Sequence, residues 1–374
     1  MVGGLFAWLL LPLGMILGWA LRRSRDDGTG AGRAELTGGN SGLDQEQAIA
    51  ALARAVDADP AAELQLALGG LLRRRGEIDR AIALHEAVLA HPALAPQLQD
   101  AARLELAQDY LKAGLLDRAE TMAIALSDSS QLPIPALELL LDLYEQSRDW
   151  PHAIETARRL QGAKGQSNAL RIAHYWCELA ETAKAKKDLD GAAAHVAKAQ
   201  AEDRDSVRAA MLEAAIAESR GDWKAALEAY WRAMQRNGRF FPEVAAQVER
   251  CCREAGDTAG YGKFLDEALS ALTDLAAPAL AKARWMQAQG QPVRGFLAEP
   301  LARKPTREGL LVWIEGGPAE EPSPLRPLAE TLKKSIQMRP KYACAHCGVA
   351  PSVLFWQCPG CKRWGSIAPA EEKL

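Results

Sequence analysis

Four of the seven cysteines stand as two pairs near the end of the chain. They are Cys344-Ala345-His346-Cys347, followed by Gly348, and Cys358-Pro359-Gly360-Cys361, with ten residues between them. Two C-x-x-C turns at that distance aim four thiolates at one ion. Gly348, Pro359 and Gly360 are the small or φ-restricted residues that such tight turns use. A closed set of four sulfurs selects Zn²⁺, with Fe as the alternative. The expected cofactor is therefore one Zn²⁺ or Fe ion on Cys344, Cys347, Cys358 and Cys361. Two disulfides are the chemical rival; they suit a secreted domain, and the rest of the chain argues against secretion. Residues 340–369 make a module too short to build its own core, so metal binding supplies much of its folding free energy. Trp356 and Trp364 flank the second pair and are expected to shield the ion or pack the module on a neighbour. His346, between two ligands, is expected to point outward.

Other catalytic chemistry is absent from the sequence. There is no Gly-rich phosphate loop, no nucleophile elbow and no H-E-x-x-H. The six histidines, His85, His91, His152, His174, His195 and His346, form no ligand spacing. No catalytic residue is assigned, and the chain is not expected to be an enzyme. The formal net charge is −3, which gives no basic surface for nucleic acid as the main partner. Of 374 residues 48% are apolar and only 6% aromatic, and Ala and Leu dominate, which suits helices in close contact. Cys177, Cys251 and Cys252 lie in helical patterns. An odd total with scattered singles is no disulfide framework and points to a reducing compartment.

The elements that position this module begin with an apolar segment. Val2 to Leu21 carries no charge, and twenty helical residues span about 30 Å, the hydrocarbon thickness of a bilayer. Arg22, Arg23 and Arg25 follow at once. A cleavable signal peptide would carry its charge before the apolar run. Residues 1–23 therefore read as a transmembrane anchor with the N-terminus outside and the bulk in the cytoplasm. Gly14-x-x-x-Gly18 is a small-x-x-x-small pattern for membrane-helix packing, beside the plainer reading of simple anchoring. Residues 24–42, rich in glycine, read as a flexible linker.

From residue 43 to 315 the pattern is helical and repeats. Turn markers fall at Gly76, Gly114, Arg148, Lys187, Gly221, Gly256 and Gly290, in steps of 38, 34, 39, 34, 35 and 34 residues. Five residues after each marker come Ala81, Ala119, Ala153, Ala192 and Ala226, then Tyr261 and Gly295. Seven before it come Gly69, Ala107, Leu141, Ala180 and Ala214, then Glu249 and Ala283. Small residues at these places let paired helices approach closely. The pattern resembles a tetratricopeptide array, weaker in its last two units, and predicts an all-α solenoid of helix pairs with a concave groove. Repeat register places His174, Cys177, Glu181 and Lys184 on that groove, with Arg208, Met211, Ala215 and Glu218 in the next unit. Glu138, Asp142 and Glu145 take the same place one unit earlier. Each is a candidate partner contact or simply part of a solvated face. Residues 316–339 read as a Pro/Glu-rich loop and a connecting helix, Leu328 to Met338.

Anchor, repeats and C-terminal knuckles together resemble the lipopolysaccharide assembly protein B (LapB, YciM) family. The resemblance is carried by Gly76-Glu77-Ile78-Asp79-Arg80-Ala81-Ile82, by Ala113 to Glu120, and by Ile172-Ala173-His174-Tyr175-Trp176-Cys177-Glu178-Leu179-Ala180. Pro340 to Cys344 and Trp356 to Trp364 look like that family's rubredoxin-like metal module, here residues 340–369. The Gly-rich linker and the Gly316 to Pro327 loop depart from the pattern. The resemblance implies a membrane-tethered cytoplasmic adaptor in the bacterial inner membrane, single-pass, with a periplasmic N-terminus. It implies control of lipid A synthesis by presenting the deacetylase LpxC to the AAA+ protease FtsH. Two other readings stand beside it: a general scaffold or co-chaperone for envelope enzymes, and an electron-transfer or redox-sensing protein with a rubredoxin-like iron.

Overall fold

The computed structural model describes residues 61–370, apart from 93, 130, 131, 258 and 318–324. The expected anchor, its Gly14 and Gly18, the linker and the start of the array lie outside the described residues. Among the described residues no helix is long and apolar enough to cross a membrane.

Helices follow one another in pairs. The first three pairs are α1 (Ala62–Arg75) with α2 (Ile78–Leu89), α3 (Pro96–Ala113) with α4 (Leu116–Ser129), and α5 (Pro133–Ser147) with α6 (Trp150–Lys164). Next come α7 (Ala169–Ala185) with α8 (Leu189–Glu202), and α9 (Val207–Ser219) with α10 (Trp223–Arg236). After a 3₁₀ turn at Gly238–Phe240 come α11 (Phe241–Glu254) with α12 (Gly260–Ala271), and α13 (Ala277–Ala288) with α14 (Arg294–Arg303). The short α15 (Arg307–Glu315) then packs on α16 (Arg326–Gln337). The expected connecting helix is thus α16. It starts at Arg326 because Pro327 sits in the first turn, where its missing N–H has no intrahelical partner to lose.

The seven turn markers share one backbone device. Gly76, Gly114, Arg148, Lys187, Gly221, Gly256 and Gly290 all adopt left-handed φ, between 58° and 90°. In each turn the next residue's N–H reaches back five positions to a helix carbonyl, as Asp149 does to Tyr144 and Asp222 to Ala217. This is the helix-ending motif that satisfies orphan carbonyls. Where the second residue is aspartate it also starts the following helix. Asp188 accepts from the Gly191 N–H at 2.9 Å and Asp222 from Ala225 at 3.0 Å. One dipeptide therefore ends the first helix and begins the second.

The small residues sit at the crossings. Ala81, Ala119, Ala153, Ala192 and Ala226 are fully buried, as are Ala107, Leu141, Ala214 and Ala283. Glu249 and Gly295, at the equivalent places of the last units, are exposed, so the repeat rule lapses there. First helices of successive pairs touch at α1–α3, α3–α5, α7–α9, α11–α13 and α13–α15, while second helices of successive pairs are held further apart. That difference bends the stack and puts the first helices on its inner face. The histidines are scattered as expected. His85 is buried against Asp109, which also accepts from Arg73 at 2.8 Å, tying the first two pairs together.

At the C-terminus two short strands, β1 (Tyr342–Cys344) and β2 (Ile367–Pro369), pair antiparallel with Ala343 opposite Ala368. The molecule is a helical solenoid of tetratricopeptide type carrying a small metal ribbon.

The turns predict a measurable asymmetry. A non-glycine residue in left-handed conformation costs about 1 kcal/mol. Lys187→Gly should raise the melting temperature. Gly221→Ala should lower it by a similar amount, since no atom lies within 4 Å of an added Cβ there. Thermal unfolding of the two variants checks both signs.

Candidate metal centre and its seat on the array

Each cysteine pair closes a tight turn. The Gly348 N–H donates to the Cys344 carbonyl at 3.1 Å, and the Lys362 N–H to the Cys358 carbonyl at 2.9 Å. Gly348 and Lys362 have positive φ at matching places. Gly360 does not; there it is the small size that the fold uses. A Cβ there would lie 2.9 Å from Val349 Cγ2 and 3.4 Å from Cys347 Sγ.

The four Sγ atoms of Cys344, Cys347, Cys358 and Cys361 lie within 4.8 Å of one another. Cys344 and Cys361 are 3.8 Å apart, Cys347 and Cys358 3.6 Å. Sulfurs about 2.3 Å from a central Zn²⁺ form a tetrahedron with edges of about 3.8 Å. The residues fit the ion, and the module binds one metal ion through these four thiolates. His346 is exposed and stands outside the set.

The thiols are primed unequally. Burial resists ionisation of Cys344, but Ser366 and the amides of Cys347 and His346 outweigh it and bring it down to about 6. At Cys347 the Val349 amide favours the thiolate. Burial and the sulfurs of Cys358, Cys344 and Cys361 override that and push it up to about 11. Four thiolates this close repel one another, so the full ligand charge needs a cation at their centre. The remaining cysteines behave as core residues: burial pushes Cys177 and Cys251 up to about 12.

The ribbon does not extend the helical stack. It folds back onto the inner face, and its two tryptophans are the plugs. Trp364 meets Trp150 edge-on at 6.0 Å and Tyr175 edge-on at 5.7 Å, and stacks on His174 at 5.2 Å. Trp356 stacks on Phe240 at 5.5 Å, with the Arg208 guanidinium 5.6 Å from its ring centre. Glu145 at the end of α5 accepts from Trp364 Nε1 at 2.9 Å and from Gln357 Nε2 at 2.9 Å. The same carboxylate accepts from Arg171 at 2.8 Å and from the Tyr175 hydroxyl. Further along, the Tyr342 hydroxyl donates to Glu243 of α11, and Arg239 Nη2 donates to the Pro369 carbonyl at 3.0 Å. The ribbon thus spans the inner face from α5 to α11. The expected packing role of Trp356 and Trp364 is the one observed.

This seating changes the reading of the groove residues. His174 and Arg208 lie on the inner face but under the ribbon, with exposures of 6% and 3%. Cys177 is wholly buried in the core between α7, α8 and α9 and does not reach the groove. Register alone does not reveal that the chain's own C-terminal residues fill this stretch. Arg208 is balanced by Glu178 at 2.7 Å and Glu181 at 3.0 Å. Met211 is half-buried against the core of α9 to α12, and Lys184 is half-buried. Glu138 and Asp142 remain exposed, Glu138 accepting from Lys164. Glu218 accepts from the Tyr230 hydroxyl at 2.8 Å. Burial, and then the Arg208 charge, push the His174 pKa down to about 3. Its folded form is neutral, so this contribution to docking is present above about pH 6.5 and declines as pH falls from there.

Two outcomes follow. Cys344→Ser or Cys358→Ser should lose stoichiometric metal and lower the melting of the C-terminal module; unchanged metal content and melting in either would refute the four-thiolate site. Glu145→Ala strips Trp364, Gln357 and Arg171 of their common acceptor and should weaken docking by about 2–3 kcal/mol. Faster proteolytic release of residues 340–369, with metal still bound, is the expected readout.

Comparison with known proteins agrees with this build. A family model described as a rubredoxin metal binding domain matches residues 342–369. The lipopolysaccharide assembly protein B of Escherichia coli K12 is 30% identical over 380 residues, covering 97% of this chain and 97% of its own. Its counterpart of the same name from Haemophilus influenzae is 26% identical over 391 residues, covering 98% of each. Among solved structures the tetratricopeptide protein YrrB is similar at 16% identity, covering 54% of this chain and 98% of its own, with a TM-score of 0.36. Nearly end-to-end similarity at this identity, with the metal module in its place, shows that the chain belongs to the lipopolysaccharide assembly protein B family.

Proposed function

We propose that this protein is a non-enzymatic adaptor in lipopolysaccharide assembly. It is tethered to the bacterial inner membrane by residues 1–23, with its N-terminus periplasmic and its bulk facing the cytoplasm. It presents the deacetylase LpxC to the membrane protease FtsH and so limits lipid A synthesis. The observation that carries the reading is the ribbon fastened on the inner face. All four thiolates converge on one ion and both tryptophans on the array, so this metal site serves architecture. The relatives named lipopolysaccharide assembly protein B supply the process. The uncharged run Val2 to Leu21 followed by three arginines supports the tether.

Tethering accounts for the effect without bond chemistry. Holding a client and a protease on one short-linked body raises their effective mutual concentration into the millimolar range. Glu138 and Asp142 are exposed on α5 and would meet a client there, with Glu181, Lys184 and Met211 at the following units.

A redox reading draws support from one feature, the exposure of Cys347. An exposed ligand gives an electron or an oxidant access to the metal centre. Metal content separates the two: a coloured protein that bleaches reversibly on reduction supports an iron centre, and a colourless one with stoichiometric zinc removes it.

Co-purification from membranes is the decisive experiment. The intact chain should recover FtsH, and deletion of residues 1–23 should lose it, raise cellular LpxC and leave the fold intact. Normal LpxC levels after the deletion would sink the tethering reading. Recovery of envelope enzymes without the protease would favour a general scaffold.

A further inference from the structure

The ribbon covers only the middle of the inner face. Beyond it, a cavity of about 1050 Å³ lies between α11, α13, the end of α16 and the ribbon itself. Phe241, Tyr261, Leu280 and Trp285 give it an apolar floor. Lys341, Tyr342, Pro369 and Ala370 form a wall, so the metal module is part of the container.

Its charge runs against that of the chain. The protein is net acidic, with a formal charge of −3. The cavity is lined by six basic residues, Arg239, Arg253, Arg284, Lys304, Arg339 and Lys341, and by four acidic ones. Three of those acids already serve the fold. Glu243 accepts from Tyr342, Asp257 caps α12 by accepting from Gly260 at 2.8 Å, and Glu308 accepts from Arg284 at 2.9 Å. Of the cations, Arg253 is 70% exposed, 4.0 Å from Glu254, and Lys341 is exposed; Arg284 is held by Glu308, and the Lys304 ammonium donates to the Asp274 carbonyl at 2.6 Å. They come from α11, α13 and the ribbon, with Lys304 at the end of α14. A rim of cations around an apolar floor suits a run of carboxylates interrupted by a large apolar residue.

We propose that this bowl docks an acidic, extended peptide segment of a client protein. One apolar side chain lies on the floor by Trp285, and carboxylates reach Arg253 and Lys341. The metal ribbon is a wall of the site, so peptide binding depends on the ion. The proposal rests on the adaptor reading and names the chemistry of its client.

The test uses the full-length zinc-loaded protein and a fluorescein-labelled peptide, Glu-Glu-Phe-Glu-Glu-Leu-Glu-Glu, with its Glu→Gln counterpart, read by fluorescence anisotropy. The acidic peptide should bind in a salt-sensitive manner, at least tenfold more tightly than the neutral one. Arg253→Glu combined with Lys341→Glu should weaken binding at least tenfold, while Arg158→Glu on α6, which does not line the cavity, should not. Chelation of the zinc should abolish binding. Equal binding of the two peptides, an unaffected R253E/K341E variant of native melting temperature, or full binding by metal-free protein would overturn the proposal. Loss of peptide binding alongside normal FtsH co-purification would sink this site and leave the tethered adaptor standing.

Discussion

The carboxylate of Glu145 is the contact on which the arrangement depends. It accepts from Trp364 and Gln357 of the ribbon and from Arg171 and Tyr175 of α7. Two residues from each side of the interface therefore share one acceptor. A buried carboxylate is tolerable only when its lone pairs are used, and here both sides are needed to use them. The aromatic plugs add area, at about 25 cal/mol per Å² removed from water, but area alone has no direction. Glu145 fixes where along the inner face Trp364 enters.

The ribbon and the array make up each other's shortfalls. Residues 340–369 have a small cluster of their own, Tyr342, Cys344, Cys358 and Ile367, and little else to bury. A unit of that size folds when a metal and a neighbour both hold it. The array, for its part, presents the rings of Trp150, Tyr175 and Phe240, apolar surface that the ribbon's two tryptophans remove from water. Metal, ribbon and inner face thus form one thermodynamic unit, although the sequence spreads them over more than two hundred residues.

Local chemistry was legible and distant chemistry was not. The left-handed turn markers were readable because they recur at a near-constant step, five of the seven being Gly and four being followed by Asp. Arg148 and Lys187 kept it even without glycine. The metal ligands were readable from C-x-x-C spacing for the same reason. Gly360 was found as a small residue of the second turn, but not what its smallness makes room for, since the close approach of Val349 depends on how the two knuckles meet. Trp356 and Trp364 were marked as packing residues, yet their receptors were not, because Gln357 and Trp364 meet Glu145 across separations of 212 and 219 residues. The same distance explains the groove. Helix register puts His174 and Arg208 on the groove face, but no periodicity announces that the chain returns to cover them.

The back-folded ribbon also alters how the solenoid should respond to force and heat. A plain repeat array behaves like a one-dimensional chain of nearest-neighbour links, able to flex, stretch and fray from either end. Here a single module is bonded to α5, α7, the 3₁₀ turn and α11 at once. It acts as a tie-rod across the arc, removing the spring-like freedom of the enclosed pairs. Those pairs are bound into one cooperative block, with α1 to α4 on one side and α13 to α16 on the other left to breathe. The protein is in this sense a rigid keystone segment with two compliant arms.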